Sequence, residues 1–328
     1  MYLMVKNGLL INGFILVKLL RSLYKIIFLF NIMIYNFTIQ NDNINLNIVT
    51  NTLMDLSKTH KLTHSGILIH VHGLGSHFQS TFDSMDSFTN RTNAFNSYIS
   101  YGLELRGHGL SSGTRFMISD FDDYLSDLNC LVEYIKFFHS EPIYIIGQSM
   151  GGAIACKYTM KFPDIIKGIV LLSPMCGLSD NLKKSWYSIK TMMLLSYIIP
   201  SYKMLSIYNE HEMNYYNKYI ESKKSCKYQN HDYVRLDTSR ECYNTMLWLQ
   251  ENSYLLTVPV LALHSINDMV TSYKTTEEFI NNCSSPDKTI ILRTIGKHNL
   301  LGPLSEDDTS PVDVLEIIKK WLNSFLLI

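Results

Sequence analysis

The chain alternates between short apolar runs and longer segments whose apolar residues recur at the spacing of a helix. The short runs predict strands at 67–71, 98–103, 143–146, 169–172, 258–264 and 289–293. The longer segments predict helices at 80–95, 120–138, 150–162, 272–282 and from 310 onward. Two further runs, 37–40 and 44–49, predict an opening hairpin. Because strands alternate with helices, we expect an α/β domain over 35–328, with a mainly parallel sheet and helices on both faces.

The alternation is interrupted between residues 176 and 254, where we expect a helical insertion. An apolar stripe, Met192–Pro200, precedes a polar stretch within it. Two interpretations of the stripe remain open: it is core between insertion and main domain, or it is a lipid-facing surface or acyl-chain wall. Flexible methionine side chains suit a wall that adapts to chains of varied length, so the second interpretation is favoured. It names as substrate-binding residues Met192, Met193, Leu195 and Ile198.

The segment with the clearest chemistry is Gly147-Gln148-Ser149-Met150-Gly151, which joins the strand at 143–146 to the helix at 150–162. A strand, a sharp turn with serine at its apex and a helix predict the nucleophile turn of a serine hydrolase. The flanking glycines fit this interpretation, because a side chain at Gly147 or Gly151 would clash where strand and helix pack together. The helix dipole favours negative charge developing beside Ser149.

Partners for this serine follow two later strands. Asp268 lies just past the strand at 258–264, and His298 lies past the strand at 289–293. The chain order of serine, acid and histidine is that of the α/β-hydrolases. We expect Ser149 to be the nucleophile, His298 the general base and then acid, and Asp268 the group that orients the imidazole. The alternative, an ordinary loop acid and a surface histidine, is disfavoured by the setting of Ser149.

An oxyanion site is predicted from the loop after the strand at 67–71, which reads His72-Gly73-Leu74-Gly75. Its donors would be the backbone N–H groups of Leu74 and of Met150, the residue after the nucleophile. Flanking glycines let this backbone approach a substrate carbonyl closely. We interpret His72 as a structural histidine that hydrogen-bonds within the loop, since buried polar groups are usually paired.

These motifs together resemble one family. The matching segments are His72–Gly75, Glu104–Gly113, Arg115-Phe116, Asp120-Phe121, Gly147–Ala155 and Leu171–Met175, followed by the surroundings of Asp268 and His298. They resemble the monoacylglycerol lipase and lysophospholipase branch of the α/β-hydrolases, also called serine aminopeptidase S33-like. The resemblance covers most of residues 35–325. It implies the α/β-hydrolase fold, with a helical lid at about 176–254.

The resemblance also implies an activity. The expected reaction is cleavage of carboxylic esters of single-chain lipids through an acyl-enzyme, with monoacylglycerol the first substrate and lysophospholipid the second. Neither a cofactor nor a metal is expected. A peptidase or small-molecule esterase on the same fold is one alternative. A non-catalytic member that binds lipid or protein is another, which three catalytic residue types in the family's order argue against.

Two positions depart from the family pattern. Gln148 stands where the family usually has histidine, and Glu104 stands where it usually has aspartate. Glutamine keeps hydrogen-bonding capacity beside the serine, so we expect activity to survive. The extra methylene of Glu104 is expected to shift the loop that contains Arg106-Gly107-His108-Gly109.

Composition bears on two further questions, whether the protein binds nucleic acid and whether its cysteines form disulfides. The 29 lysines and arginines balance 29 acidic residues, and no basic stripe indicates a nucleic-acid partner. The six cysteines include no C-x-x-C pair, which favours free, mostly buried thiols in a reducing compartment. A disulfide between Cys226 and Cys242 stays an alternative.

The N-terminal extension, residues 1–34, is basic and then apolar. Lys18, Arg21 and Lys25 precede the apolar run 26–35, as in a leader peptide. The run is short for a membrane span, which needs about 20 residues. No Ala-x-Ala cleavage site is available, because the first alanine is Ala94. We favour a cytosolic extension over a membrane-associating leader, and expect a cytoplasmic protein whose alternative is peripheral membrane contact through the lid or N-terminus.

Overall fold

A computed structural model describes residues 34–52, 64–78, 86–182, 186–205, 215–228 and 233–326. The predicted N-terminal extension therefore lies outside the described residues, apart from Ile34. The same holds for most of the first half of the helix predicted at 80–95, since residues 79–85 are not described.

The described residues contain ten strands, eight α-helices and one 3₁₀ helix, Ser253–Leu255. The strands are β1 (Tyr35–Asn41), β2 (Ile44–Thr50), β3 (Gly66–Val71), β4 (Tyr98–Leu103), β5 (Ile143–Gln148), β6 (Ile166–Leu172), β7 (Lys203–Leu205), β8 (Tyr233–Arg235), β9 (Val260–Ser265) and β10 (Lys288–Arg293). The helices are α1 (Phe88–Ala94), α2 (Asp122–Phe138), α3 (Met150–Lys161), α4 (Trp186–Ile198), α5 (Asn217–Ser225), α6 (Leu236–Glu251), α7 (Tyr273–Asn282) and α8 (Ser310–Ser324).

Eight strands form the central sheet, in the order β1-β2-β4-β3-β5-β6-β9-β10. The opening hairpin is confirmed, because β1 pairs antiparallel with β2. Strand β2 also pairs antiparallel with β4, whereas every pair from β4 to β10 is parallel. The prediction of a mainly parallel sheet is therefore confirmed, and the carboxyl ends of the parallel strands share one edge.

The core lies on both faces of this sheet. Side chains alternate along a strand, so Ile67 and Ile69 face one layer and Leu68 the other. The first layer contains α2, α3, α6 and α7, represented by Leu128, Ile154, Leu249 and Phe279. The second contains α1 and α8 with the segments that flank them, represented by Phe95, Ile318 and Leu322. Helices cover both faces, as the element pattern predicts.

The segment between β6 and β9 contains three of the helices, α4 to α6, and a ribbon that was not predicted. Strands β7 and β8 pair antiparallel, from Lys203 with Arg235 to Leu205 with Tyr233. Each strand is three residues long, too short for a pattern of alternating hydrophobicity to reveal it. Helix α6 packs Met246 and Leu249 into the core of the main domain. Of the three helices, α6 is thus part of the layer that covers the sheet.

Two further observations concern the whole described chain. All six cysteines are free, so the alternative of a disulfide between Cys226 and Cys242 is not realised. Among the helices within the described ranges, none is both long enough and apolar enough to cross a membrane.

Candidate active site

Ser149, Asp268 and His298 come together at one edge of the sheet. Ser149 follows β5, Asp268 follows β9, and His298 lies in the loop after β10. These strands are parallel members of one sheet, so their carboxyl ends bring the loops that follow them to a common edge. Residues separated by up to 149 positions in the chain thereby come into contact.

The turn that presents Ser149 is tightly constrained. Ser149 has φ 53° and ψ −117°, a conformation that residues with a side chain rarely adopt. Its amide donates to the carbonyl of Leu172 at 2.9 Å, and its carbonyl accepts from the amide of Met175 at 3.0 Å. A Cβ at Gly151 would overlap the carbonyl oxygen of Val71. The glycine is therefore required by a close approach of two backbones, as the motif predicts.

A chain of hydrogen bonds joins the three side chains. The Oγ of Ser149 lies 3.0 Å from Nε2 of His298, and Nδ1 of the same ring lies 2.8 Å from Oδ2 of Asp268. A carboxylate only accepts, so the proton of the neutral imidazole is on Nδ1, and Nε2 accepts from the serine hydroxyl. All three residues are buried. This arrangement can remove a proton from Ser149 and stabilise the imidazolium that results.

Asp268 is surrounded by donors. Its Oδ2 accepts from His298, from Nε2 of His264 at 3.0 Å and from the hydroxyl of Thr271 at 2.9 Å. Its Oδ1 accepts from the amides of Val270 and Thr271 at 2.7 and 3.0 Å. Burial by itself raises the pKa of this carboxyl, but His298 and His264 lower the pKa well below its usual range. Asp268 is therefore a carboxylate at neutral pH.

The loop after β3 lies against the serine. A Cβ at Gly73 would stand 3.1 Å from the Cβ of Ser149, so only a glycine backbone fits there without displacement. Leu74 follows in the turn, and Met150 begins α3, whose first amides have no acceptor within the helix. The two amides predicted to form the oxyanion site thus belong to the two backbone segments that flank Ser149.

His72 supports this loop from beneath. Its Nε2 accepts from the amide of Leu105 at 3.2 Å, which leaves Nδ1 to donate to the carbonyl of Gly73 at 2.8 Å. Burial, reinforced by neighbouring His108, lowers the pKa of His72 well below its ordinary value. A buried, neutral histidine with both ring nitrogens occupied has a structural role, in agreement with the interpretation from the sequence.

Glu104, one of the two departures from the family pattern, makes several buried hydrogen bonds. Its carboxylate is fully buried and accepts from the amide of Phe78 at 3.0 Å and from the amide of Leu110 at 2.7 Å. It also accepts from the side chain of Asn47 at 2.9 Å. The residue therefore connects the loop after β3 with the loop after β4. A Cβ at Gly109 would overlap the carboxylate, so the two residues fit as a pair.

The four stripe residues on α4 are less enclosed than the triad. Met192 and Met193 are half-buried, whereas Leu195 and Ile198 are exposed, Ile198 by 66%. Helix α4 has apolar residues around most of its circumference, and it also exposes Tyr187, Leu194 and Tyr197. The helix therefore presents an apolar outer surface in addition to the side that packs on the protein.

Sequence reasoning missed several polar neighbours of the triad. His264 and Thr271 contact Asp268. Asn299, next to His298, accepts a hydrogen bond from Gln148 and donates one to Tyr219. His264 lies near the end of β9 and precedes Asp268 by four residues, a spacing that could have indicated the contact. For Asn299, whose side chain contacts Gln148, no pattern in the sequence indicates the pairing.

A comparison with protein families finds a match over most of the chain. The family model described as "Serine aminopeptidase, S33", named Hydrolase_4, matches residues 63–304, which is well over half of the chain. The matched range includes all of β3 to β10 together with Ser149, Asp268 and His298.

Comparisons with individual proteins agree with this match. The chain is 25% identical over 268 residues to the monoglyceride lipase of Rattus norvegicus, covering 80% of this chain and 83% of that protein. It is 22% identical over 246 residues to the caffeoylshikimate esterase of Arabidopsis thaliana, covering 69% of each. A crystal structure of a soluble variant of monoglyceride lipase from Saccharomyces cerevisiae, in complex with a substrate analog, superposes with TM-score 0.73. It has 20% identity and covers 89% of this chain and 95% of that chain, a likeness of fold.

Proposed function

We propose that this chain, which belongs to the serine aminopeptidase S33 family of α/β-hydrolases, cleaves carboxylic esters of single-chain lipids. Monoacylglycerol is the first proposed substrate and lysophospholipid the second. The observation on which the proposal rests is the continuous hydrogen-bonded chain from Ser149 through His298 to Asp268. Such a chain activates a serine hydroxyl for attack on an acyl carbonyl.

The proposed reaction follows from these contacts. His298 takes the hydroxyl proton through Nε2 as Ser149 Oγ attacks the ester carbonyl, and Asp268 stabilises the imidazolium. The imidazolium then protonates the leaving alcohol, which for a monoacylglycerol is glycerol, and an acyl-enzyme remains. Water, deprotonated by His298, attacks the acyl-enzyme, and release of the fatty acid restores Ser149.

The tetrahedral oxyanion is proposed to bind the amides of Leu74 and Met150. Both belong to backbone segments that flank Ser149, and the second lies at the N-terminus of α3, where the helix dipole favours negative charge. Loss of one such donor costs on the order of 3 kcal/mol in the barrier. Neither a metal nor an organic cofactor has a part in this mechanism.

Two findings support a lipid ester as the substrate. Curated relatives of this chain include monoglyceride lipases, one of which covers most of both sequences. In addition, helix α4 exposes Leu194 by 64% together with other large apolar side chains, as a protein that works at a lipid surface requires. We propose that the insertion at about 176–254 includes the lid. We also propose that Met192 and Met193 contact the acyl chain, and that the outer side of α4, including Leu195 and Ile198, contacts the lipid surface.

A second candidate function is hydrolysis of a smaller ester. The likeness to the caffeoylshikimate esterase of Arabidopsis thaliana supports it. The two candidates share the triad and differ in what the residues above it bind. The dependence of kcat/KM on acyl-chain length distinguishes them, since a lipid esterase gains from each added methylene that it buries.

The test is release of fatty acid from a long-chain monoacylglycerol, with Ser149→Ala measured in parallel. We expect turnover by the natural chain and none by the variant. A fluorophosphonate probe should label the natural chain at Ser149 and leave the variant unlabelled. Substantial hydrolysis by a folded Ser149→Ala protein would refute the mechanism. Labelling without lipid hydrolysis would favour the smaller ester.

A further inference from the structure

A closed ring of hydrogen bonds lies beside the triad. Its members are Asp86, Arg91, Gln148, Asn299 and Tyr219. Arg91 donates to Oε1 of Gln148 at 3.1 Å, and Nε2 of Gln148 donates to Oδ1 of Asn299 at 2.9 Å. Nδ2 of Asn299 donates to the Tyr219 hydroxyl at 2.6 Å, which donates to Asp86 at 2.8 Å. A 2.7 Å ion pair between Asp86 and Arg91 closes the ring.

The four bonds from Arg91 through Gln148, Asn299 and Tyr219 to Asp86 all point the same way, and the fifth bond runs directly from Arg91 to Asp86. A guanidinium can only donate and a carboxylate can only accept, so the direction is fixed at Arg91 and at Asp86. The amide of Gln148 must therefore turn its oxygen to Arg91 and its N–H to Asn299. Bonds aligned from a cation to an anion strengthen one another in a buried setting. Arg91 and Tyr219 are both almost fully buried.

Two members of the ring adjoin the reacting residues. Gln148 immediately precedes Ser149, and Asn299 immediately follows His298. The bond between their side chains spans 151 positions of the chain and joins the turn after β5 to the loop after β10. The amide of Leu301 also donates to Oδ1 of Asn299, at 3.1 Å. The loop that contains His298 is thus tied to the turn that contains Ser149 by side chains outside the triad.

The ring also reaches the segment above the site. Tyr219 is part of α5, and Lys223 on the same helix forms a 2.7 Å ion pair with Asp86. Tyr215, just before α5, accepts from the amide of Asn299 at 2.6 Å. Three side chains from α5 and the residues before it thus contact either Asn299 or Asp86. The position of α5 and the position of the histidine loop are therefore linked.

We propose that Gln148 and Asn299 are positioning residues that hold the His298 ring at hydrogen-bonding distance from Ser149, and that Tyr219 makes this alignment depend on the docking of α5. The proposal rests on the proposed function for its kinetic consequences. The proposal gives a role to Gln148, which stands where the family usually has histidine. A glutamine there supplies both an acceptor for Arg91 and a donor for Asn299.

The test compares Gln148→Met, Asn299→Leu and the double variant. Each substitution keeps approximate volume and removes the bond between the two side chains. We expect each single variant to lose about ten-fold to a hundred-fold in kcat, because a misaligned base costs that much. KM should change by less than about two-fold, since a positioning residue affects the chemical step and not the binding of substrate. The double variant should be about as slow as the slower single variant, since each substitution alone already removes the same Gln148–Asn299 bond.

Tyr219→Phe tests the link to α5 with the smallest possible change. Removal of the hydroxyl should lower kcat by about three-fold to ten-fold, because the Gln148–Asn299 bond remains. Two matched controls lose equivalent hydrogen bonds elsewhere. Gln250→Met loses bonds to the carbonyls of Cys176 and Thr275, and Tyr158→Phe loses a bond to Asn129. Both controls should change the unfolding free energy as the ring variants do, with kcat unaltered.

A second measurement does not require turnover. The Nδ1 proton shared between His298 and Asp268 should give a downfield proton NMR signal, identified by its loss in His298→Gln. We expect this signal to broaden through faster exchange in the ring variants and to stay sharp in the controls. If no ester is hydrolysed and the signal still broadens, the proposed function fails and the positioning role stands. If signal and kcat are both unchanged in folded ring variants, the positioning role is wrong.

Discussion

The sheet that presents Ser149, Asp268 and His298 and the part of the chain that contains α4 and α5 are stabilised in different ways. In the sheet, β3 and β4 are buried at every residue, and Gly151 packs its backbone against that of β3. In the other segment, α4 exposes large apolar side chains, and α5 contacts the rest of the protein through polar groups of Tyr219 and Lys223.

This difference separates two tasks. Backbone contacts and close packing fix the relative positions of the residues that react, since a packed core resists small displacements. A segment attached through a few polar side chains can change its outer surface without disturbing the strands. We therefore propose that the chemistry is located in the closely packed region and that substrate selection is located in the region attached through polar side chains. Substitutions in the two regions should have different consequences.

The largest effect is expected at the acid of the triad. Asp268→Asn replaces one carboxylate oxygen by an N–H group, so the imidazole of His298 loses its acceptor and adopts the wrong tautomer. We expect kcat to fall about 10⁴-fold, measured as fatty-acid release from a monoacylglycerol. The control is Asp313→Asn on α8. The Asp313 carboxylate is largely exposed, so this substitution should leave kcat unchanged. A loss of less than about ten-fold at Asp268 would contradict the triad assignment.

A backbone contact gives the next largest effect, on stability rather than rate. Gly151→Ala places a Cβ against the carbonyl groups of Val71 and His72, and neither backbone can move without disturbing β3. We expect the free energy of unfolding in urea to fall by about 3 kcal/mol. Leu194→Ala on the exposed side of α4 should change it by less than about 0.5 kcal/mol. Similar values for the two variants would show that the regions do not differ in rigidity.

Acid should destabilise the sheet region through its buried histidines. Burial lowers the pKa of His70 to about 3 and of His108 to about 4, below the ordinary value of 6.5. The unfolded chain therefore binds protons that the folded protein excludes, and stability decreases as pH falls from about 6.5 toward 4. Each such histidine contributes a loss of about 2 kcal/mol by pH 5.

His108→Gln isolates one of these groups. Glutamine can still donate to the carbonyl of Arg106 but does not titrate. Because the contacts of the imidazole ring with Phe116 and Tyr124 are lost, the variant should be less stable at neutral pH. Its unfolding free energy should depend less steeply on pH, by about one proton between pH 6.5 and 4. Urea unfolding at a series of pH values measures this slope. An unchanged slope would mean that His108 is not excluded from protonation in the folded state.

The smallest effect is expected on the outer surface of α4. Leu194→Ser combined with Ile198→Ser removes exposed apolar area that the proposal places against a lipid surface. We expect hydrolysis of monoacylglycerol in vesicles to fall by about three-fold to ten-fold, together with sedimentation of the protein with the vesicles. Hydrolysis of a short soluble ester should be unchanged. Equal losses on both substrates would instead indicate damage to the site.

Much of this molecule could be predicted because it depends on local sequence. The buried strands are continuous apolar runs, and the helices are bounded where periodicity stops, so the element order follows from the pattern. The predicted ends of the strands differ from the observed ones by a few residues. Strand β6 begins at Ile166 rather than at 169, and β9 begins at Val260 rather than at 258. Pro259, which has no amide hydrogen, stands at the second of these boundaries.

The candidate site likewise has a part that the sequence predicts and a part that it does not. The order of Ser149, Asp268 and His298, each past the end of a predicted strand, is a property of the sequence alone. Parallel pairing then requires that these residues meet, because the carboxyl ends of parallel strands share one edge. Only the tertiary structure decided which polar side chains surround them. Arg91 contacts Gln148, Tyr219 contacts Asn299, and Tyr219 contacts Asp86, all across chain separations that no local preference specifies.

The same reason applies to α4 and α6. Both helices have an apolar pattern, yet α6 packs into the core and α4 exposes Leu194 and Ile198. An apolar residue has no preference for one neighbour over another, since the hydrophobic effect is non-directional. The sequence therefore determined the elements and the order of the reacting groups. The docking of helices onto the finished sheet decided which apolar surfaces are buried and which polar groups hold the reacting residues in place.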